Sequence, residues 1–251
     1  MTDVAVVTGA AAGIGAASAR LLQERGSSVI GVDLAAGDPA DGLAWVRADV
    51  ADLELWPAVV AFALERFGAP PSVLVLNAAR IAIGRVTEVS DDDWQRVLDV
   101  NLLAAVRALR ACLPSMIERG RGSIVAVASV NALQAEQGLA AYNASKGALL
   151  QLIRTVAVDH ARDGIRANVV CPGVTDTPLF RAHLATASDP VRFLSVREQR
   201  NPLGRLLQPD EVARAIAFLA GDESSGVTGA ALVIDAGLTA SFDFRTGAEG
   251  A

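Results

Sequence analysis

The stretch AAYNASKGAL, residues 140–149, holds the single tyrosine and the single lysine of the chain, Tyr142 and Lys146, four positions apart. On a helix that offset places both side chains on one face. A phenol, with an ordinary pKa of about 10, is a poor proton carrier near neutrality, so using it as an acid/base requires its anion to be stabilised. An ammonium group one turn away does this, and each unit of depression is worth about 1.4 kcal/mol in favour of the phenolate. Taken alone, such a pair more often marks a solvated helix face with a packed ring.

A second constellation stands near the N-terminus, where VAVVT runs into TGAAAGIGAASARLL with Gly9, Gly13 and Gly15. Glycines after a strand permit a tight turn and close backbone approach, and the following helix offers unpaired N–H groups to a pyrophosphate. By itself the triplet is also compatible with an ordinary strand-to-helix turn. The next apolar run, SSVIGVD, ends in Asp33, where a carboxylate can take the adenosine ribose hydroxyls and repel a 2'-phosphate. Ala11 and Ala12 supply no positive charge for such a phosphate, so the pattern favours NAD over NADP.

These residues need a frame. Short apolar runs recur at VAVVT, SSVIGVD, LAWVRAD, SVLVLN, GSIVAVAS, RANVVCPG and AALVIDAG, with amphipathic stretches between the first six and one more before the last. Continuous apolar runs signal strands buried on both faces. The fold class is therefore α/β, a single-domain, Rossmann-type, doubly wound parallel sheet of about seven strands spanning residues 1–251. Helices are expected at roughly 14–25, 53–67, 91–118, 140–162 and 209–220. Residues 176–204 break the rhythm and read as a long irregular segment, a substrate lid within the domain.

Composition narrows the function. The formal charge is -6 and the arginines are scattered, which argues against a nucleic-acid surface. The N-terminus reads directly into a strand pattern, and no uninterrupted apolar stretch reaches the length of a membrane span, so a cytoplasmic protein without a membrane partner is expected. Cys112 and Cys171 lie in apolar surroundings without metal or redox spacing, and His160 and His183 are isolated, so no metal site is expected.

With these residues assembled, the chain resembles the short-chain dehydrogenase/reductase family from about residue 3 to residue 240. TGAAAGIG is similar to the family's TGxxxGxG loop, and Ala48, Asp49 and Val50 resemble the segment that contacts adenine. LNAAR keeps Asn77 of the family's NNAG but has Ala79 in place of its glycine. YNASK matches YxxxK, Ser129 stands thirteen residues before the tyrosine, Asn101 matches the tetrad asparagine, and PGVTDT resembles PGxxxT. The resemblance implies Tyr142 as acid/base and Lys146 as the group that lowers its pKa and holds the nicotinamide ribose. It implies Ser129 on the substrate oxygen and Asn101 holding a water that links Lys146 to solvent. It further implies a cofactor site of Gly9, Gly13, Ile14, Gly15, Asp33, Asp49, Val50, Asn77, Tyr142, Lys146, Pro172, Gly173, Val174 and Thr177. A homo-oligomer is expected, with a tetramer favoured.

The substrate expected on this basis is a small-molecule secondary alcohol or the matching ketone, of sugar or polyol, cyclic alcohol, steroid or hydroxyacyl type. Leu179, Phe180, Leu184, Phe193 and Leu194 suggest an apolar lid wall, and Leu133, Gln134 and Gln137 suggest further contacts. The alternative is an NAD(H)-sensing regulator on the same fold without turnover, for which an intact proton relay has no use.

Overall fold

The computed structural model describes residues 3–35 and 42–241; Phe242 and Phe244 of the tail, read from the sequence as able to dock, lie outside them. Seven strands form one parallel sheet: β1 (Val4–Thr8), β2 (Ser28–Asp33), β3 (Ala44–Arg47), β4 (Val73–Leu76), β5 (Gly122–Val127), β6 (Ile165–Pro172) and β7 (Ala231–Ile234). Their order is β3-β2-β1-β4-β5-β6-β7. The winding direction reverses between β1 and β4, and the crevice outside the carboxyl ends of the strands at such a reversal is where ligands bind.

Strand side chains alternate between two cores. Val4, Val6, Ile30, Leu74 and Ile124 meet α2 (Leu55–Phe67), α4 (Ala104–Glu118) and α5 (Ala140–His160) on one face. Ala5, Val7, Val29, Val75 and Val125 meet α1 (Gly13–Glu24) and α8 (Pro209–Ala220) on the other. Burial on both faces explains why these strands read as unbroken apolar runs. The β2–β3 connection shows no helix among its described residues, unlike the amphipathic stretch expected there.

Two further expectations are corrected. The run expected as one helix over 91–118 is α3 (Asp91–Leu98), a π-turn at Asp99–Leu103, and then α4. Ser90 caps it by accepting from the Asp93 N–H. By length and composition this run could cross a bilayer, an exception to the membrane expectation, but it packs Ala104, Ala108, Cys112 and Met116 into the core. The segment read as irregular contains two short helices, α6 (Pro178–Leu184) and α7 (Pro190–Arg200). Pro178 and Pro190 start helices here because a proline in the first turn lacks only an N–H that has no partner anyway. Thr177 and Asp189 cap them through the amides of Phe180 and Arg192.

Candidate active site

The glycine loop is shaped by close approach. Gly9 (φ +64°) and Gly13 (φ +54°) adopt the left-handed conformation that other residues resist, and a Cβ on Gly13 would stand 3.1 Å from the Thr177 side chain. Asn77 fastens the loop: its amide donates to the carbonyls of Thr8 (2.9 Å) and Gly9 (3.2 Å). The N-cap of α1, Ala12, has no capping side-chain bond, so the first amides of the helix are left to an anion. Asp33 ends β2 and accepts from the Ala11 amide (3.0 Å) and the Ala35 amide (3.0 Å), which fixes its carboxylate beside the loop.

The donor set fits a dinucleotide, with backbone amides for a pyrophosphate, a fixed carboxylate for ribose hydroxyls and no Cβ where the chain must come close. Gly9, Gly13, Ile14, Asn77, Pro172, Gly173, Val174 and Thr177 line one cleft of about 810 Å³ together with Ser129, Tyr142 and Lys146. Gly15, Asp33, Asp49 and Val50 do not line it. Gly15 lies behind the loop against Gly9, Asp49 caps its own turn through the Ala51 amide, and Val50 is buried. Ala79, which replaces the family's glycine, needs no special backbone. Among the described residues Ala236 alone, glycines aside, has positive φ.

α5 carries Tyr142 and Lys146 on one face, with the lysine ammonium 5.6 Å from the phenol ring centroid. Lys146 is 1% exposed, and its Nζ donates to the Val127 carbonyl at 2.7 Å. Burial lowers its pKa to about 8, which leaves it charged at neutral pH. Tyr142 is half-buried in the cleft wall, and enclosure by protein pushes its phenol up to about 12. A hydrogen bond with Ser129 opposes this rise and the Glu136 charge adds to it. The depression expected from Lys146 is therefore not what the protein's own groups deliver: desolvation by burial is the largest influence on the phenol.

Asn101 sits in the π-turn, 2% exposed and outside the cleft lining. Its amide donates to the Arg80 carbonyl (3.0 Å) and to the Ser145 hydroxyl (2.9 Å), and its Oδ1 accepts from the Arg80 amide (2.7 Å). Ser145 in turn donates to the Tyr142 carbonyl (2.7 Å). The side chain thus ties the loop after β4 to the helix that carries Tyr142 and Lys146.

Part of the lid expectation is met. Leu179, Phe180, Gln134 and Gln137 line the cleft, whereas Leu133, Leu184, Phe193 and Leu194 do not. The sequence reading missed Glu136, His183, Arg197 and Arg200, which do line it. Glu136 accepts from Arg197 at 2.6 Å and more weakly from Asn131 (3.4 Å), whose amide N–H bonds the Ser129 hydroxyl at 3.1 Å. Because the Glu136 charge raises the phenol pKa, Glu136→Gln is expected to lower it. If Tyr142 serves as the base in alcohol oxidation, the rate should then reach half its maximum at lower pH than in the wild type. A pH–rate profile that is unmoved, or displaced to higher pH, would refute the assigned influence.

Comparison with known proteins agrees with this geometry. A family model described as enoyl-(acyl carrier protein) reductase matches residues 9–239. The cis-4-hydroxycyclohexanecarboxylate dehydrogenase of Sinomonas cyclohexanicum is 41% identical over 94% of this chain and 96% of its own. The 2-(R)-hydroxypropyl-CoM dehydrogenase of Xanthobacter autotrophicus is 39% identical over 96% of this chain and 100% of its own. Among solved structures, the aldohexose dehydrogenase of Thermoplasma acidophilum superposes with a TM-score of 0.90 at 35% identity, covering 98% of this chain and 97% of that one. An actinorhodin polyketide ketoreductase solved with NADPH gives 0.87 at 33% identity, covering 94% and 97%.

Proposed function

Because the chain belongs to the short-chain dehydrogenase/reductase family, we propose that this oxidoreductase is an NAD-dependent dehydrogenase of secondary alcohols that uses Tyr142 as its acid/base. The observation that carries the reading is the convergence of Ser129, Tyr142 and Lys146 on the cleft that the glycine loop opens. The names of the relatives, which include a cyclic hydroxy acid and an aldohexose, support a hydroxylated small molecule as substrate.

When bound, an oxidised nicotinamide accepts the hydride and adds positive charge beside the phenol. The residues of the chain do the rest. Ser129 donates a hydrogen bond to the substrate oxygen, which stabilises charge developing there. Tyr142 Oη takes the hydroxyl proton. Lys146, held by Val127, keeps an ammonium near the phenol and is placed to hold a ribose hydroxyl. Asn101 keeps α5 in register with the loop after β4.

The preference for NAD rests on Asp33. Juxtaposed like charges cost several kcal/mol, so wild-type turnover with NADP should be at least about a hundredfold weaker than with NAD. Asp33→Ser should close most of that gap. The test is NADH or NADPH formation against polyols, hydroxy acids, steroids and cyclic alcohols, with Tyr142→Phe as the blank. Equal use of both cofactors by the wild type would remove the NAD assignment. The reading extends to a cytoplasmic homo-oligomer, favoured as a tetramer, with no nucleic-acid or membrane partner, in keeping with an acidic chain.

A further inference from the structure

The wall of the cleft formed by α7 carries more positive charge than hydride transfer needs. Val196, Arg197 and Arg200 of this helix line the cleft. The Arg197 guanidinium lies 3.3 Å from the Phe193 ring centroid, and that ring is braced by His183, edge-on at 5.2 Å, and by Phe180 at 6.3 Å. One Arg197 N–H group donates to Glu136 at 2.6 Å, and the others have no bond among the described residues. Arg200 follows almost one turn later on the same face, is exposed, and makes no ion pair among the described residues. Among the described residues Glu136 is the only carboxylate in the lining, so there two guanidinium groups face one acid.

The cofactor does not account for that charge. A pyrophosphate belongs at the β1–α1 loop, whereas Arg197 is bonded to the loop that follows β5, and β4 separates β5 from β1 in the sheet. Leu139, Leu179 and Phe180 add apolar surface to the same cleft, beside the neutral polar side chains of Gln134 and Gln137. An apolar skeleton carrying one planar anion matches such a surface, because the fork of a guanidinium pairs with a carboxylate through two parallel bonds. We propose that the substrate is a hydroxy or oxo compound bearing a carboxylate, held by Arg200 together with the braced Arg197. This deepens the dehydrogenase reading and rests on it.

Calorimetry on the protein–NADH complex tests the anion site without turnover, using cyclohexanecarboxylate and its neutral counterpart cyclohexanecarboxamide, neither of which has a hydroxyl to oxidise. The wild type should bind the carboxylate about 10- to 100-fold more tightly than the amide. Arg200→Gln should remove most of that preference and Arg200→Lys restore part of it, with NADH affinity unchanged. Equal binding of the two probes, binding of neither, or an Arg200→Gln variant that weakens the amide or NADH as much as the carboxylate overturns the proposal. Turnover is read separately with the corresponding hydroxycyclohexanecarboxylates and amides. A carboxylate preference without turnover leaves the anion site standing and counts against the dehydrogenase reading; turnover without preference does the reverse.

Discussion

Tyr142→Phe is expected to lower the turnover number about a thousandfold while leaving NADH affinity within about threefold of wild type. The substitution removes one oxygen and keeps the ring, so the packing of α5 is preserved and the loss falls on chemistry. What disappears is the atom proposed to take the substrate proton, together with its bond to Ser129. The burial that raises the phenol to about 12 makes the test sharper. With the protein alone the phenolate is scarce at neutral pH, so wild-type oxidation should climb with pH, whereas the residual rate of the variant should lose that dependence. Rates with substrate saturating, measured across pH, would decide it. If Tyr142→Phe retained more than about a tenth of the activity, the proton would have to leave by another route, and His183, which lines the same cleft, would be the first group to replace next.

The sheet was legible because its strands are buried on both faces, and a run such as VLVL in β4 has few other places to go. The glycine loop and the Tyr142–Lys146 pair were legible because local spacing alone places them. What escaped depended on contacts across the fold or on small departures from ideal geometry. The π-turn at Asp99–Leu103 adds no sequence signal, yet it is the element that presents Asn101 to Arg80 and Ser145. α6 and α7 are short, and their prolines read as breakers when they are starters. Arg197 and Glu136 stand 61 residues apart, so their ion pair exists only once α7 folds over the cleft.

The depression of the phenol was expected from Lys146 together with an oxidised nicotinamide, and the protein's own groups by themselves shift it the other way. Counting the cation one turn away captures attraction but not the desolvation that comes with enclosing a ring in protein. Lys146 suffers the same enclosure in the opposite sense, with its ammonium drawn down to about 8. Both shifts disfavour the charged forms and move the two groups apart, the phenol up to about 12 and the ammonium down to about 8. Ser129 and Glu136 then act as opposing adjustments on the phenol, one lowering and one raising its pKa.

Gly15→Ala is expected to weaken NADH binding by more than about a hundredfold, the second large effect. Gly15 lies in the first turn of α1, and its φ is ordinary, so backbone strain is not the reason. The reason is space. A Cβ there would collide with the Gly9 carbonyl and stand 2.6 Å from the Asn77 amide nitrogen. Neither neighbour is free to yield: Asn77 holds the loop through two carbonyls, and Gly9 is bonded through its amide to Val32 at 2.8 Å. Relief therefore has to come from moving α1 away from β1, which pulls the first helical amides off the position where a pyrophosphate would meet them. Overpacking of this kind costs about 1–3 kcal/mol of stability, a fall in Tm of roughly 2–12 °C for a domain of this size. Gly26→Ala is the control, since its φ of +92° strains any side chain but nothing lies within 4 Å of the added methyl. That variant should lose some stability and keep its cofactor affinity. Were Gly15→Ala to bind NADH as tightly as Gly26→Ala, the close packing of α1 against the loop would not be what shapes the site.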